Sequence, residues 1–225
     1  MKKAVVLLSG GLDSAVTLYT AKKQGYDCRC LSFDYGQRHR RELRAAKSIA
    51  CFAGCALQAV KISLPWKGSA LLDSKIKVPE SRLTGYAAAK KIPSTYVPAR
   101  NIIFLSFALS YAEATGAEAI FIGAHCQDYS GYPDCRPDFF RAFRKMALRG
   151  TKAGVEKKKI EIKAPLLNKS KVQIIKSGRQ LGVPFALTWS CYRGGIKPCG
   201  ACDSCFYRAR GFAQAGIKDP AEKVM

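Results

Sequence analysis

The chain has 225 residues, of which 48% are hydrophobic and 24% are charged, and this balance excludes an intrinsically disordered protein. The length suits one α/β domain with a small appendage and is too short for two full-sized domains. The 38 Lys and Arg residues outnumber the 16 Asp and Glu residues, giving a formal net charge of +22, which indicates either a solvated basic surface or a polyanionic partner such as RNA.

Short apolar runs alternate with stretches of helical periodicity along the chain. The apolar runs, which predict strands, span residues 4–8, 30–33, 59–62 and 119–122. The helical spacing predicts helices over residues 12–23, 38–52 and 102–115. This alternation predicts an α/β fold with a doubly wound parallel sheet, covered by helices on both faces. Because such sheets bind ligands beyond the carboxyl ends of their strands, the loops after Leu8, Phe33 and Ile122 are candidate sites.

The apolar runs also bear on where the protein resides. No stretch reaches the about 18 consecutive apolar residues of a transmembrane helix. The run before Ser9 is too short for a signal peptide and is interpreted as a buried first strand. The sequence therefore predicts a soluble, cytoplasmic protein. Its ten cysteines favour metal ligation and burial over disulfides, because cellular thiols keep cysteines reduced.

Three segments depart from the regular alternation. Residues 65–96 lack clear periodicity and contain several prolines, which predicts a long insertion that could cover a site. Residues 141–179 carry 13 basic residues against Glu156 and Glu161, either as a solvated surface or as an RNA contact. From residue 184 the composition changes again, so residues 1–183 are expected to form the main domain and residues 184–225 a small C-terminal module.

The string Ser-Gly-Gly-Leu-Asp-Ser at residues 9–14 stands between the first predicted strand and the first predicted helix. Gly10 and Gly11 let the backbone approach an anion, and the N–H groups at the helix start point to the same place. A tight turn with a helix cap is the alternative, but the whole string resembles the pyrophosphate loop of the N-type ATP pyrophosphatase (PP-loop) superfamily. That resemblance implies an adenine nucleotide alpha hydrolase-like fold for residues 1–183 and cleavage of ATP between its α and β phosphates. The predicted ATP-binding residues, here called the phosphate loop, are Leu8, Ser9, Gly10, Gly11, Leu12, Asp13 and Ser14, with Asp13 holding Mg²⁺.

Four cysteines crowd into the fifteen residues from Cys191 to Cys205, with Cys199 and Cys202 between them. Two-residue gaps let consecutive thiolates converge on one ion, and four sulfurs complete a tetrahedral shell without an open position. This spacing predicts a structural zinc site, with an iron–sulfur cluster as the alternative that spacing leaves open. The other six cysteines receive no role.

Three further strings, at residues 33–39, 97–101 and 128–136, mix turn formers with hydrogen-bonding side chains. Such a mixture suits the recognition of a flat polar heterocycle, although singly each string could be an ordinary capped loop. The candidate substrate-binding residues are Tyr35, Gln37, His39, Asn101, Ser130, Tyr132 and Asp134. The candidate catalytic residues are Asp13, Arg100, Asp128 and Arg136.

Together with the phosphate loop and the cysteines, these strings resemble the 7-cyano-7-deazaguanine synthase family over nearly the whole chain. The most specific string is Ser-Gly-Tyr-Pro-Asp-Cys-Arg at residues 130–136. The resemblance implies an ATP-dependent ligase that converts 7-carboxy-7-deazaguanine and ammonia into the nitrile, on the way to queuosine or archaeosine in tRNA. It also implies a homodimer and a small-molecule reaction that requires no nucleic acid.

In the family reaction the carboxylate is adenylated by ATP, ammonia forms the amide, and a second ATP activates the amide for loss of AMP. Such steps depend on positioning and on neutralising phosphate charge, so no protein nucleophile is required. Arg100 and Arg136 are expected to offset negative charge, and Asp128 and Asp134 to accept hydrogen bonds from the guanine-like edge. His39 is either a proton acceptor for ammonium or a buried structural histidine.

Two other functions stay open on the sequence alone. One is a related enzyme that adenylates a base in tRNA before a sulfur or amine transfer, which the basic tract at residues 141–179 favours. The other is a zinc-dependent RNA-binding module with an inactive ATP fold. Basic and aromatic side chains for that module are Tyr192, Arg193, Phe206, Tyr207 and Arg208.

Overall fold

The computed structural model describes residues 1–80, 92–125 and 131–221, and its centre is a five-stranded sheet. The strands are β1 (Lys2–Leu7), β2 (Tyr26–Asp34), β3 (Leu57–Lys61), β4 (Ala119–Phe121) and β5 (Glu161–Lys163). They lie in the order β3-β2-β1-β4-β5, and each neighbouring pair is parallel, which confirms the predicted parallel sheet. Strand β5 was not predicted, because a single buried apolar residue, Ile162, stands between two charged ones.

The helices in the described ranges cover both faces of the sheet. They are α1 (Leu12–Lys23), α2 (Arg41–Phe52), α3 (Arg100–Thr115), α4 (Pro137–Gly150), α5 (Lys152–Val155), α6 (Lys171–Gln180) and α7 (Asp203–Ala215). The predicted helix over residues 12–23 is confirmed, whereas α2 begins three residues later than predicted and α3 two residues earlier. Helix α4 was not predicted, because its segment is rich in arginine and lysine and was interpreted by its charge. Its buried face consists of Phe140, Phe143 and Ala147.

Alternate residues of β1 supply two separate hydrophobic cores, as expected for a sheet with helices on both faces. Val6 points into the core formed with α1, α2, α6 and α7, whose large members include Leu18, Ile49 and Phe212. Val5 points into the other core, formed with α3 and α4, where Leu105 and Phe140 are fully buried. The doubly wound arrangement is therefore confirmed.

The order of the strands determines where a ligand can bind. The chain runs from β1 to β2 and β3 on one side of the sheet and then returns to β4 on the other side of β1, so the strand order reverses at β1. This reversal opens a crevice beyond the carboxyl end of β1, and the phosphate loop starts there. No helix in the described part of the chain has the length and apolar character needed to cross a membrane.

The C-terminal segment after residue 184 packs on the α/β core. Helix α7 lies against α6, and Phe212 of α7 contacts Phe185 edge to face with ring centroids 5.3 Å apart. The Arg208 guanidinium forms a buried ion pair with Asp219, with Nε 2.6 Å from Oδ2. An isolated antiparallel bridge joins Glu80 to Cys202, so the C-terminal segment also contacts the chain at residue 80.

Candidate active site at the carboxyl end of strand β1

A cavity of about 340 Å³ lies beyond the carboxyl ends of β1, β2 and β4. Of the predicted site residues, those that line it are Leu8, Ser9, Gly11, Leu12, Asp13, Ser14, Tyr35, Gln37, His39, Arg100, Asn101 and Tyr132. Gly10, Asp134 and Arg136 are not among the residues that line it. Asp128 and Ser130 lie outside the described residues. The phosphate loop and the three further strings, at residues 33–39, 97–101 and 128–136, therefore all contribute to one cavity.

The phosphate loop depends on close packing behind it. Gly10 has a φ of +89°, and an added Cβ would lie 2.1 Å from the carbonyl oxygen of Glu42 and 2.7 Å from the backbone nitrogen of Ala46. Helix α2 can pack this tightly against the loop only where the loop has no side chain. The structure thus places Gly10 behind the loop, where it shapes the backbone, rather than at the cavity surface.

The start of α1 presents hydrogen-bond donors to the cavity. Gly11 occupies the N-cap position, so no side chain covers the N–H groups of the first turn, and neither Asp13 nor Ser14 caps the helix. The Ser14 hydroxyl donates to the Gly11 carbonyl at 2.9 Å, and the Ser9 hydroxyl lies 3.1 Å from that of Ser14. Uncovered N–H groups beside two hydroxyls form a site suited to phosphate.

Asp13 is held by two side chains that the sequence did not single out. The Lys171 ammonium lies 2.8 and 2.9 Å from the two Asp13 carboxylate oxygens, and His125 Nε2 lies 3.3 Å from Oδ2. Burial alone would raise the pKa of Asp13, but Lys171 and His125 hold that pKa well below its ordinary value. The carboxylate is therefore ionised at neutral pH, beside a lysine that also lines the cavity.

A signal for these two residues exists in the sequence, although it is weak. Ser170 and Gln173 form a capping box that begins α6, so the S-x-x-Q pattern places Lys171 in a first helical turn. His125 lies in the loop after β4, one of the three loops where a ligand was expected. Neither signal reveals that both side chains converge on Asp13.

Besides the phosphate loop, the cavity has a polar wall made of Tyr35, Glu42, Arg100, Tyr132 and Tyr192. Arg100 Nη1 donates to the Tyr35 hydroxyl at 3.2 Å, and the Tyr132 hydroxyl lies 2.8 Å from Thr95 Oγ1. Burial raises the pKa of Glu42 to about 7, while the nearby Arg100 acts in the opposite direction. The wall thus combines one permanent cation with a carboxyl group that resists ionisation.

Asp134 serves the protein scaffold in this structure, and Arg136 lies at the surface. The Asp134 carboxylate accepts the backbone N–H of Asn101 at 3.0 Å, and the Asn101 side-chain amide donates to the Asp134 carbonyl at 3.2 Å. Asp134 is buried and fixes the start of α3, so its carboxylate is already used within the protein. Arg136 is exposed at the N-cap position of α4. The guanine-edge and charge-offsetting roles expected of these two residues find no geometric support.

The turn after β2 is shaped by Gln37 and bordered by His39. The Gln37 side-chain oxygen accepts the Tyr35 N–H at 2.9 Å, and its amide donates to the Phe33 carbonyl at 3.3 Å. The His39 ring packs edge to face against Trp189, with ring centroids 6.4 Å apart. Burial lowers the pKa of His39. At neutral pH His39 is therefore an uncharged ring in the cavity wall.

The four predicted metal ligands converge at one point. The sulfur atoms of Cys191, Cys199, Cys202 and Cys205 lie within 4.8 Å of one another. A zinc tetrahedron with Zn–S bonds of about 2.3 Å separates its sulfurs by about 3.8 Å, so a small contraction would suit one ion. The backbone N–H groups of Cys199 and Arg193 donate to the Cys191 sulfur at 3.3 and 3.4 Å, which stabilises a thiolate. The donor set fits zinc better than an iron–sulfur cluster, which spreads its thiolates around several metal atoms.

The cysteine cluster is joined directly to the cavity. Ser190 and Tyr192, on either side of Cys191, line it. The Trp189 side chain donates to the Cys191 carbonyl at 2.9 Å, and the Trp189 backbone N–H donates to the Gly10 carbonyl at 2.9 Å. The cysteine cluster is therefore linked to the polar wall through Tyr192 and to the phosphate loop through Trp189.

Comparisons of the sequence with known proteins agree on one family. The family model described as Queuosine biosynthesis protein QueC matches residues 3–216. The 7-cyano-7-deazaguanine synthase of Trichormus variabilis is 56% identical over 220 residues, which cover 97% of this chain and 96% of that protein. The 7-cyano-7-deazaguanine synthase 2 of Desulfitobacterium hafniense is 56% identical over 224 residues, covering 100% and 94%. The Stutzerimonas stutzeri enzyme of the same name is 53% identical over 223 residues, covering 97% of each chain.

Among solved structures, a predicted subunit of tRNA methyltransferase from Methanocaldococcus jannaschii superposes with a TM-score of 0.52. The alignment covers 98% of this chain and 91% of that chain at 14% sequence identity. At this identity the likeness concerns the fold alone.

Proposed function

The chain belongs to the QueC family of queuosine biosynthesis proteins, and from this premise we propose that it is a carbon–nitrogen ligase that makes 7-cyano-7-deazaguanine from 7-carboxy-7-deazaguanine and ammonia. It consumes ATP and releases AMP and pyrophosphate. The observation that carries the assignment is that a single cavity joins the phosphate loop to the polar wall. A nucleotide and a carboxylated heterocycle can therefore lie against each other, as an adenylation requires.

On the nucleotide side, the first-turn N–H groups of α1 and the hydroxyls of Ser9 and Ser14 bind the phosphates. Lys171 supplies a positive charge at the same place, and Asp13 holds the Lys171 ammonium in position. Mg²⁺ would be held by a lone pair of the Asp13 carboxylate that the contacts with Lys171 and His125 leave free, and it would neutralise phosphate charge. In the described residues, Asp13 is not part of a cluster of three or more metal-binding side chains. A single carboxylate is enough for Mg²⁺, because this ion binds one or two carboxylates and completes its coordination with phosphate oxygens and water.

On the substrate side, Arg100 neutralises the carboxylate so that it can approach the α-phosphate. A carboxylate oxygen attacks the α-phosphorus, the bond to the bridging oxygen breaks, and pyrophosphate leaves. Ammonia then attacks the acyl carbon, AMP departs with the carboxylate oxygen, and the amide results. In the second round the amide oxygen attacks another α-phosphorus, and loss of AMP and two protons leaves the nitrile. Tyr35, Gln37, His39, Asn101 and Tyr132 shape the pocket around the heterocycle.

The cysteine cluster has a supporting role in this assignment. Zinc would be held by Cys191, Cys199, Cys202 and Cys205 and would fix the segment that carries Trp189 and Tyr192. We retain residues 1–183 as the ATP-binding domain and residues 184–225 as the zinc module. We further propose that the enzyme works in the cytoplasm as a homodimer, and light scattering of the purified protein measures the second point.

The decisive assay supplies purified protein with ATP, Mg²⁺, ammonium and 7-carboxy-7-deazaguanine and follows the products by mass spectrometry. We expect a nitrile product with AMP and pyrophosphate in the absence of tRNA. A product that forms only when tRNA is added would instead assign the chain to a tRNA-adenylating enzyme. Salt-sensitive tRNA binding without ATP turnover would identify an RNA-binding module. A matched reaction with ADP in place of ATP controls for other phosphate chemistry.

A further inference from the structure

Three acidic residues line the cavity, and two of them are already occupied by other contacts. Asp13 is bound by Lys171 and His125. Asp203 is the first residue of α7 and has an interaction within the protein. The side chain of Glu42, in the first turn of α2, forms no hydrogen bond and no ion pair within the described ranges. Of the three acidic side chains that line the cavity, Glu42 therefore has the carboxyl group that is open to a ligand.

A carboxyl group in this position is poorly satisfied without a ligand. Glu42 is half-buried in the cavity wall, which raises its pKa, and Arg100 acts on it without forming an ion pair in the described ranges. Leaving a desolvated carboxylate without donors costs free energy. A ligand that brings two N–H donors to Glu42 recovers that cost, and one without them does not.

The proposed substrate carries such a pair of donors. A guanine-type ring presents an N1–H and a 2-amino group side by side, and a carboxylate accepts both at once. On the same ring the 6-oxo group and the 7-carboxylate are acceptors, and they lie next to the donor edge. The polar wall has the complementary order, because the Arg100 guanidinium and the Glu42 carboxyl are neighbours on it.

We propose that Glu42 is the specificity-determining residue for the heterocycle, accepting hydrogen bonds from its N1–H and 2-amino groups while Arg100 faces the oxo and carboxylate oxygens. This takes over the role that the sequence suggested for Asp134, whose carboxylate is bound to the Asn101 backbone instead. It rests on the proposed function, because the ligand class comes from there.

Titration calorimetry with two ligands tests the assignment directly. The ligands are 7-carboxy-7-deazaguanine and its analogue that lacks the 2-amino group. We expect wild type to bind the complete ligand about 10- to 150-fold more tightly, the range for a hydrogen bond to a charged group. Glu42→Gln and Glu42→Ala should lose most of this preference, because their affinity for the complete ligand falls further than that for the analogue, which brings only the N1–H donor to this position.

Two controls separate recognition from folding. ATP affinity should be unchanged in Glu42→Gln, and Asp203→Asn, which removes another cavity acid, should keep the wild-type preference for the complete ligand. The inference is overturned if wild type binds both ligands equally, if Glu42→Gln keeps full preference, or if Asp203→Asn is the variant that loses it. Failure of wild type to bind or convert 7-carboxy-7-deazaguanine at all would instead overturn the proposed function.

Discussion

The phosphate loop and the polar wall line the same cavity, but they are built in different ways. The loop is one continuous string, and its geometry follows from a strand, two glycines and a helix start. The wall takes residues from five separate places: the turn after β2, helix α2, the start of α3, the segment before α4 and the segment next to the cysteines. A continuous string can be found in a sequence, whereas an assembled wall depends on packing that brings distant residues together.

Lys171 gives the sharpest test of this contrast, because it binds Asp13 of the phosphate loop although the two residues lie 158 positions apart in the sequence. We expect Lys171→Met to lower kcat/KM by about 100- to 1,000-fold, since it removes a positive charge at the phosphates and leaves Asp13 less compensated. Steady-state assays of AMP formation measure the loss. Lys176→Met, on the exposed side of the same helix, is the matched control and should stay near wild type. Equal activity in both variants would remove Lys171 from the site.

Gly10 tests how strictly the loop depends on helix α2. We expect Gly10→Ala to lower the free energy of unfolding by at least about 3 kcal/mol, because its Cβ would overlap the Glu42 carbonyl and its φ is positive. Gly36→Ala has a similar φ of +81° but no atom within 4 Å, so it isolates the backbone strain and should cost about 1 kcal/mol. Urea denaturation compares the two, and losses of equal size would contradict the close approach.

A change in the cysteine cluster tests whether substrate binding at the polar wall depends on bound zinc. Cys199→Ser should reduce bound zinc and raise KM for 7-carboxy-7-deazaguanine about tenfold, because the cluster fixes the segment that carries Tyr192. KM for ATP should change less, since the phosphate loop receives a single backbone hydrogen bond from Trp189. Elemental analysis and steady-state kinetics measure both effects. Cys51→Ser changes an exposed cysteine remote from the cluster and should alter neither. Full zinc content with unchanged KM would refute the link.

Arg136 should give the smallest effect. Its side chain is exposed, and it does not line the cavity, so Arg136→Glu should leave kcat/KM within about twofold of wild type. Arg100→Gln, which changes an arginine of the wall, provides the contrast and should be strongly impaired. A loss above tenfold in Arg136→Glu would return this residue to the substrate side.

Features encoded by a continuous segment could be predicted from the sequence, whereas features assembled from distant segments could not. Helix α1, the parallel sheet, the phosphate loop and the four cysteines were all predicted, because each is encoded by local periodicity or short spacing. Helix α4 and strand β5 were missed, since their buried residues are interrupted by lysine and arginine. The side chains around Asp13 and the free carboxyl of Glu42 could not be predicted, because they depend on where α6 and α2 pack. The hydrogen bond between Asp134 and Asn101 could not be predicted for a related reason, because the two residues lie 33 positions apart.

The central claim is that the loop and the wall act together to adenylate a carboxylate and then its amide. Substrate labelled with oxygen-18 in both carboxylate positions tests it most directly. The account predicts that each nitrile formed is accompanied by two molecules of AMP, each carrying one labelled oxygen, with no label in pyrophosphate. Label in pyrophosphate, or AMP without any label, would contradict attack by the substrate oxygens on the α-phosphate.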